Sequence, residues 1–355
     1  MLNFTVGPVM SDPDVIEVAN HSTPYFRTPE FSEVMLENER LMLEFLNAPP
    51  DSRAVFLTAS GTGSMESVVM NVLNDSDKII VINGGSFGHR FVELCELHKR
   101  NFTQVKCEFG HQLVREQLEG LENYTALLIN MHETSSGVLY DMEMVAGFCR
   151  VNNILLIVDA ISAFIADPID MTAFGAAVVI AGSQKALAVQ PGISFIVFSP
   201  EAIERVGNNP ETCMYLSLRQ ALMNGKRGQT PFTPAVTTLL QINTRLHQIS
   251  NSGGILQERK KIASVAKDFR SSIKDLPFEL VSEFPSNAVT CLRPIHGGAK
   301  KIVRILRDEY QIWVCPNSGE MADVVFRIGH IGYITHEDNH KLIDALYDMN
   351  RRGLL

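Results

Sequence analysis

The sequence has no Cys-x-x-Cys pair, no basic run longer than Arg259-Lys260-Lys261, no repeat or low-complexity segment, and no apolar stretch near the ~20 residues of a membrane span. Each absence excludes a class of function. Six scattered cysteines, at positions 95, 107, 149, 213, 291 and 315, suggest neither a zinc site nor a disulfide framework, so free core thiols and no metal are expected. A formal net charge of −9 without a basic patch argues against nucleic acid or anionic membrane as a partner. The N-terminus lacks the basic, apolar and cleavage regions of a secretion signal, so a cytoplasmic protein is expected.

What is present fits a large α/β enzyme. A chain of 355 residues, 45% of them hydrophobic, is long enough for a sizeable core and for two domains. Short apolar strands alternate with helical patterns, which implies parallel strands joined by crossover helices. Strands are predicted over Arg53–Leu57, Lys78–Ile82, Thr103–Cys107, Ala126–Met131, Ile154–Val158, Ala177–Ala181 and Ile193–Phe198. The helices between them include Ser64–Leu73, Phe87–Lys99 and Met142–Val151. Asp12-Pro13 reads as a cap followed by a first-turn proline. A long helical region from Ala235 to Leu276 is broken near Asn251-Ser252-Gly253-Gly254. After it come strands at Val289–Leu292, Ile312–Val314 and Val324–Ile328, with helices at Lys300–Arg307 and Glu337–Met349. The expectation is a large domain over 1–253, with a mostly parallel seven-stranded sheet and the N-terminal segment, and a smaller α/β domain over 254–355.

Chemistry is concentrated in three turns. Lys185 stands in Gly182-Ser183-Gln184-Lys185-Ala186-Leu187, after a strand that ends in Asp159. A lysine that can form a Schiff base and an acid that keeps a pyridine nitrogen protonated are the two groups pyridoxal phosphate chemistry requires. Upstream, Thr58-Ala59-Ser60-Gly61-Thr62-Gly63-Ser64 lies between a strand and a helix, where free backbone N–H groups and hydroxyls meet the positive end of a helix dipole and can bind a phosphate. Taken singly, the same residues also read as a solvated surface lysine, a helix-capping aspartate and an ordinary N-cap.

Taken in order, the motifs resemble one family. Asn3-Phe4-Thr5-Val6-Gly7-Pro8, Ser60-Gly61-Thr62-Gly63, Gly85-Ser86-Phe87-Gly88-His89-Arg90, His132-Glu133-Thr134-Ser135-Ser136-Gly137, Val158-Asp159-Ala160-Ile161-Ser162, Gly182-Ser183-Gln184-Lys185-Ala186, Gln229-Thr230-Pro231-Phe232-Thr233-Pro234 and Phe326-Arg327-Ile328-Gly329-His330 are similar to the class V pyridoxal phosphate aminotransferases. The branch they resemble contains alanine–glyoxylate, serine–pyruvate and 2-aminoethylphosphonate–pyruvate transaminases. The resemblance covers nearly the whole chain. It implies the type I fold of pyridoxal phosphate-dependent transferases and pyridoxal 5′-phosphate as cofactor.

It also implies roles. Ser60, Gly61, Thr62 and Gln184 would hold the phosphate, Phe87 would stack on the ring, and Ile161 would pack against the other face. Ser135 would meet the ring's 3′-oxygen, with Thr134 and Ser136 as adjacent alternatives, and Asp159 would pair with the ring nitrogen. Gln229 and Thr230 would reach the phosphate of a neighbouring subunit, which makes a homodimer with shared sites the expected assembly. Arg327 would grip the substrate carboxylate through two parallel hydrogen bonds, with backbone groups around Gly7 lining the same pocket. Val6 departs from the Pro-Gly-Pro common among relatives.

The expected activity is a ping-pong transfer of an amino group from an alanine- or serine-like donor to a 2-oxo acid such as glyoxylate or pyruvate, with Lys185 as general acid–base. The runner-up is 2-aminoethylphosphonate transamination, which would need a second cationic group such as Arg27 or Arg90. A cysteine desulfurase would need a nucleophilic thiol on a mobile loop, for which Cys315 is the candidate, and a non-catalytic relative would have no use for Lys185, Asp159 and Arg327. Tyr25, Phe26, Arg27 and Tyr333 are candidates for the side-chain pocket.

Overall fold

The computed structural model describes residues 1–355. In chain order its strands are β1 Leu2–Phe4, β2 Arg53–Leu57, β3 Ile79–Asn83, β4 Phe102–Lys106, β5 Ala126–Asn130, β6 His132–Glu133, β7 Val138–Leu139, β8 Leu155–Asp159, β9 Ala176–Gly182, β10 Ser194–Phe198, β11 Phe278–Leu280, β12 Val289–Pro294, β13 Ile312–Pro316 and β14 Phe326–Gly329. Seven form one sheet in the order β2-β10-β9-β8-β5-β3-β4. Its pairs are parallel except those of β10, which runs antiparallel to β2 and β9.

The central strands read as unbroken apolar runs because both faces of the sheet are covered. Successive side chains point to opposite faces, and the cores divide accordingly. Ile80, Leu127, Leu156 and Val179 enter one core, and their neighbours Ile79, Leu128, Ile157 and Ile180 enter the other. All seven strands lie where the sequence predicts them, within a residue or two at each end.

Capping sets the helix ends. Asp12 Oδ1 accepts the Asp14 amide at 2.9 Å with Pro13 in the first turn, and Asp141 Oδ1 accepts the amides of Glu143 and Met144 at 3.0 and 3.1 Å. The helix after β2 runs over Gly61–Asn71, three residues ahead of its predicted start, because Ser60 is the extended cap residue and Gly61-Thr62-Gly63 are already its first turn. The helix Pro29–Phe45, capped by Thr28, is an element that the sequence reading does not name; it buries Phe31, Met35, Met42 and Phe45. The helical region after 235 divides into Val236–Asn251 and Gly254–Ser272. At the break, Gly253 and Gly254 have φ of +96° and +76°, values that glycine adopts without strain.

A second sheet, β1-β13-β14-β12-β11, packs on its own core of Phe4, Phe269, Ile302, Phe326, Leu342 and their neighbours. Its first strand comes from the other end of the chain: β1 runs parallel to β13, with Leu2 opposite Ile312 and Phe4 opposite Val314. The sequence reading groups the N-terminal segment with the large domain, but pairing with β13 makes Leu2–Phe4 a strand of the smaller sheet. Phe4 is fully buried in this core, a contribution of roughly 1.5–3 kcal/mol. No helix is long and apolar enough to cross a membrane.

Candidate active site

The ends of β2, β3, β5, β8 and β9 deliver their turns to one edge of the large sheet, the carboxyl edge where open α/β sheets bind ligands. β8 ends at Asp159, and β9 ends at Gly182 and leads into the turn that carries Lys185. Lys185 is buried, and its Nζ donates to the Val6 carbonyl at 2.7 Å and lies 5.9 Å from the centroid of the Phe87 ring. Burial, helped by the positive charge of Arg327, lowers its pKa to about 8. Gly7 fits against this side chain: a Cβ there would lie 2.8 Å from Lys185 Cδ, and its φ of +122° also favours glycine.

Asp159 is buried with no cation bonded to it. Its Oδ1 accepts the Ile161 amide at 2.8 Å. Burial pushes its pKa up to about 6, against the Ile161 hydrogen bond, and the nearby Glu133 charge adds to the rise. Buried carboxylates are ordinarily paired, so an unpaired one here suits a ligand that brings its own positive charge, as a protonated pyridine nitrogen does.

The phosphate end fits as well. Ser60 makes no capping bond at the start of Gly61–Asn71, and the Gly61 and Thr62 amides have no partner in the chain. A Cβ at Gly61 would lie 2.3 Å from Ile161 Cδ1, which places Ile161 beside the cradle. Thr62 Oγ1 accepts from Arg90 Nη1 at 2.8 Å and keeps its own proton for a ligand. The Gln184 carboxamide has no partner in the chain, and its backbone carbonyl accepts the Val9 amide at 3.3 Å.

Arg327 projects from β14 and is also buried. Its Nη1 donates to the Thr134 carbonyl at 3.2 Å, and its Nη2 to the Pro316 carbonyl at 2.7 Å and to Cys315 Sγ at 3.2 Å, while Nε has no partner. Its charge is one of those that lower the Lys185 pKa, so the two side chains share one electrostatic neighbourhood. Cys315, the thiol considered for desulfurase chemistry, lies on β13 and not on a loop.

Other candidates are placed differently. The Ser135 hydroxyl gives its proton to Glu133 Oε1 and accepts from the Ser86 amide at 3.2 Å, so it has none left for the ring's 3′-oxygen. Thr134 Oγ1 bonds Ser162 Oγ at 2.7 Å. Gln229 and Thr230 are tied within the chain: Gln229 Nε2 donates to the Phe26 carbonyl and Ser32 Oγ, and Arg27 Nη1 donates to Gln229 Oε1 and the Thr230 carbonyl at 3.1 and 2.8 Å. Arg27 and Arg90, considered for a phosphonate head, are therefore both engaged. Tyr25 and Tyr333 are exposed. Tyr25 packs beside Phe26, with ring centroids 5.6 Å apart.

Glu133 is a residue whose role the sequence reading misses. Fully buried, it accepts hydrogen bonds from the start of the helix Ser86–Leu97 and from Ser135 and Asn130. Its neighbour His132 is buried with neither ring nitrogen bonded, and burial pushes its pKa down to about 3, so its ring is neutral.

The lowered Lys185 pKa has a direct chemical signature. Below about pH 8 the amine is protonated and not nucleophilic; above it the neutral amine can attack a small aldehyde. Reductive labelling of the cofactor-free protein with a small aldehyde, followed residue by residue by mass spectrometry, should show Lys185 modification rising with a midpoint near pH 8. A midpoint close to that of the exposed lysines would contradict the burial argument.

Comparison with known proteins gives this geometry a family. An Anabaena cylindrica protein named soluble hydrogenase 42 kDa subunit is 29% identical over 345 residues, covering 94% of this chain and 88% of its own length. The L-aspartate–glyoxylate aminotransferase of Paracoccus denitrificans is 27% identical over 350 residues, covering 94% and 86%. In fold, the chain matches alanine–glyoxylate aminotransferase of Nostoc sp. with a TM-score of 0.92 at 24% identity, over 99% of this chain and 95% of that one. The family model for aminotransferase class-V matches residues 16–321. The buried lysine, the unpaired aspartate and the open helix start thus belong to a known frame, and the chain is a member of the class-V aminotransferases, pyridoxal phosphate-dependent enzymes.

Proposed function

We propose that the protein moves an amino group from a small α-amino acid, alanine- or serine-like, to a 2-oxo acid such as glyoxylate or pyruvate. The observation that carries this reading is the placement of a buried guanidinium, Arg327, in the electrostatic neighbourhood of Lys185, with Nε still unpartnered. A carboxylate bound there would hold its Cα–H toward the Lys185 amine. When bound, pyridoxal phosphate supplies an aldehyde for the amino group and a ring that takes up the electron pair left at Cα. Lys185 Nζ, able to lose its proton near pH 8, would take the proton from Cα and return it in the reverse half. The Asp159 carboxylate would keep a proton on the ring nitrogen, and Ser60, Gly61, Thr62 and Gln184 would hold the phosphate.

The aspartate–glyoxylate enzyme of Paracoccus supports glyoxylate as an acceptor. Six unpaired cysteines suit a reducing cytoplasm. Replacing Arg327 with Gln should lower kcat/KM for alanine- or serine-like donors by more than about ten-fold, from the loss of about 1.5–3 kcal/mol of charge-assisted bonding. Cofactor affinity should change far less. The assay is a screen of amino donors against glyoxylate and pyruvate followed by cofactor absorbance. Efficient turnover of 2-aminoethylphosphonate with none of alanine or serine would overturn the reading.

The working form would be a homodimer. Tyr215 and Phe232 stack with centroids 5.5 Å apart and planes at 10°, beside the exposed Met214 and next to the turn that holds Gln229 and Thr230. An exposed apolar cluster of this kind marks an interaction surface. If Thr230 serves the partner's phosphate, chains carrying Lys185→Ala and Thr230→Ala should complement each other. A mixed dimer then contains one site with both defects and one with neither. Failure to recover activity after verified subunit exchange would rule out shared sites.

A further inference from the structure

The helix Ser86–Leu97 carries Phe87 and Arg90, and it starts at Gly85, which has no side chain to satisfy its free amides. Glu133 serves that need from another segment. Its Oε2 accepts the Gly88 amide and Asn130 Nδ2, each at 2.9 Å. Its Oε1 accepts the Ser135 amide at 3.1 Å, the Phe87 amide at 3.4 Å and the Ser135 hydroxyl. No arginine, lysine or histidine pairs with this buried carboxylate, so amide donors and the positive end of the helix dipole stabilise it instead. The approach needs Gly85, because a Cβ there would lie 2.6 Å from Glu133 Cδ.

One turn further along, Arg90 makes the second attachment. Its Cζ lies 5.3 Å from the Phe87 ring centroid, and its Nη1 donates to Thr62 Oγ1 at 2.8 Å. The helix is therefore fixed at its start by Glu133 and joined through Arg90 to the first turn of Gly61–Asn71. A hydroxyl that accepts the arginine N–H has its own O–H directed elsewhere, so Arg90 fixes the direction in which Thr62 can donate.

We propose that Glu133 and Arg90 act together as positioning residues, holding this helix so that the Phe87 ring face and the Thr62 hydroxyl are set for pyridoxal phosphate before it binds. Arg90 also brings a positive charge to the phosphate cradle. The proposal rests on the reading of Phe87 and Thr62 as cofactor contacts. Its physical basis is preorganisation: groups already ordered in the free protein lose less conformational freedom on binding, and affinity rises accordingly.

The test is the dissociation constant of pyridoxal phosphate for cofactor-free Glu133→Gln, Arg90→Gln and the double variant, with the melting temperature of each cofactor-free protein measured alongside. Each single change should raise the constant by about ten-fold or more, the effect of losing charge-assisted bonds that align a site. Because both residues act through one helix, the double variant should be close to the worse single variant, not to the product of the two effects. Both single changes should weaken binding of pyridoxal, which has no phosphate, through Phe87, and Arg90→Gln should weaken pyridoxal phosphate further through the lost charge at the cradle. Constants within two-fold of the unaltered protein, fully multiplicative losses, or lowered melting temperatures with unchanged binding would each overturn the proposal. If Glu133→Gln fails to fold, Arg90→Gln still decides it: weakened pyridoxal binding supports the positioning of Phe87, and pyridoxal binding within two-fold of the unaltered protein overturns it. Phe87→Ala and Thr62→Ala separate the two possible failures: if these also leave binding unchanged, the contact assignment falls and the proposal with it.

Discussion

A carboxylate buried without a counter-ion is the constraint around which the carboxyl edge of the large sheet is organised. Asp159 has one amide for company, and burial raises its pKa to about 6. Glu133 is a second buried anion nearby, and Lys185, Arg90 and Arg327 are three cations in the same region. None of the five is bonded to an opposite charge. Lys185 is held by the Val6 carbonyl, Arg90 by the Thr62 hydroxyl, Arg327 by the Thr134 and Pro316 carbonyls, and Glu133 by amides and a hydroxyl. Of these, Asp159, Glu133, Lys185 and Arg327 are buried, and buried charges kept apart in this way have a high cost in an empty fold. A ligand that brought a cation to Asp159 and anions to the helix start and Arg327 would make the arrangement favourable, and under the proposed function pyridoxal phosphate with an amino acid would carry that charge pattern.

The site also joins the two sheets. Arg327 comes from β14 of the smaller sheet and donates to Thr134 in the turn between β6 and β7, while Val6, just past β1 of the smaller sheet, receives the Lys185 amine. Contacts between the elements of the two sheets thus lie around the Lys185 amine. Pairing of β1 with β13 secures the N-terminal segment in that position, and the close fit of Gly7 against Lys185 leaves no space for a larger residue.

Much of this was legible in the sequence because the signals are local. Apolar runs of about five residues identify the strands; β8 ends in Asp159, and the turns after β2 and β9 carry Ser60-Gly61-Thr62 and Lys185. The helix break at Gly253-Gly254 is readable for the same reason. What the sequence did not reveal depends on segments that meet only in three dimensions. Glu133 reads as one residue of a Thr/Ser-rich motif until β5 and β3 lie side by side and bring it to the start of the helix after β3. The Ser135 hydroxyl looks available until that glutamate takes its proton. Arg90 reads as a candidate cation for a phosphonate head until the helices Gly61–Asn71 and Ser86–Leu97 bring it to Thr62. The placement of β1 is a pairing across some three hundred residues, which no local pattern encodes.

The most direct test of the account is where pyridoxal phosphate becomes attached. Borohydride reduction of the loaded protein, digestion and peptide mapping should yield a single modified residue, Lys185. Lys185→Ala should remove the label while the circular dichroism spectrum stays that of the folded protein. A label on any other lysine, or one that persists in Lys185→Ala, would contradict the assignment of this buried amine as the catalytic group.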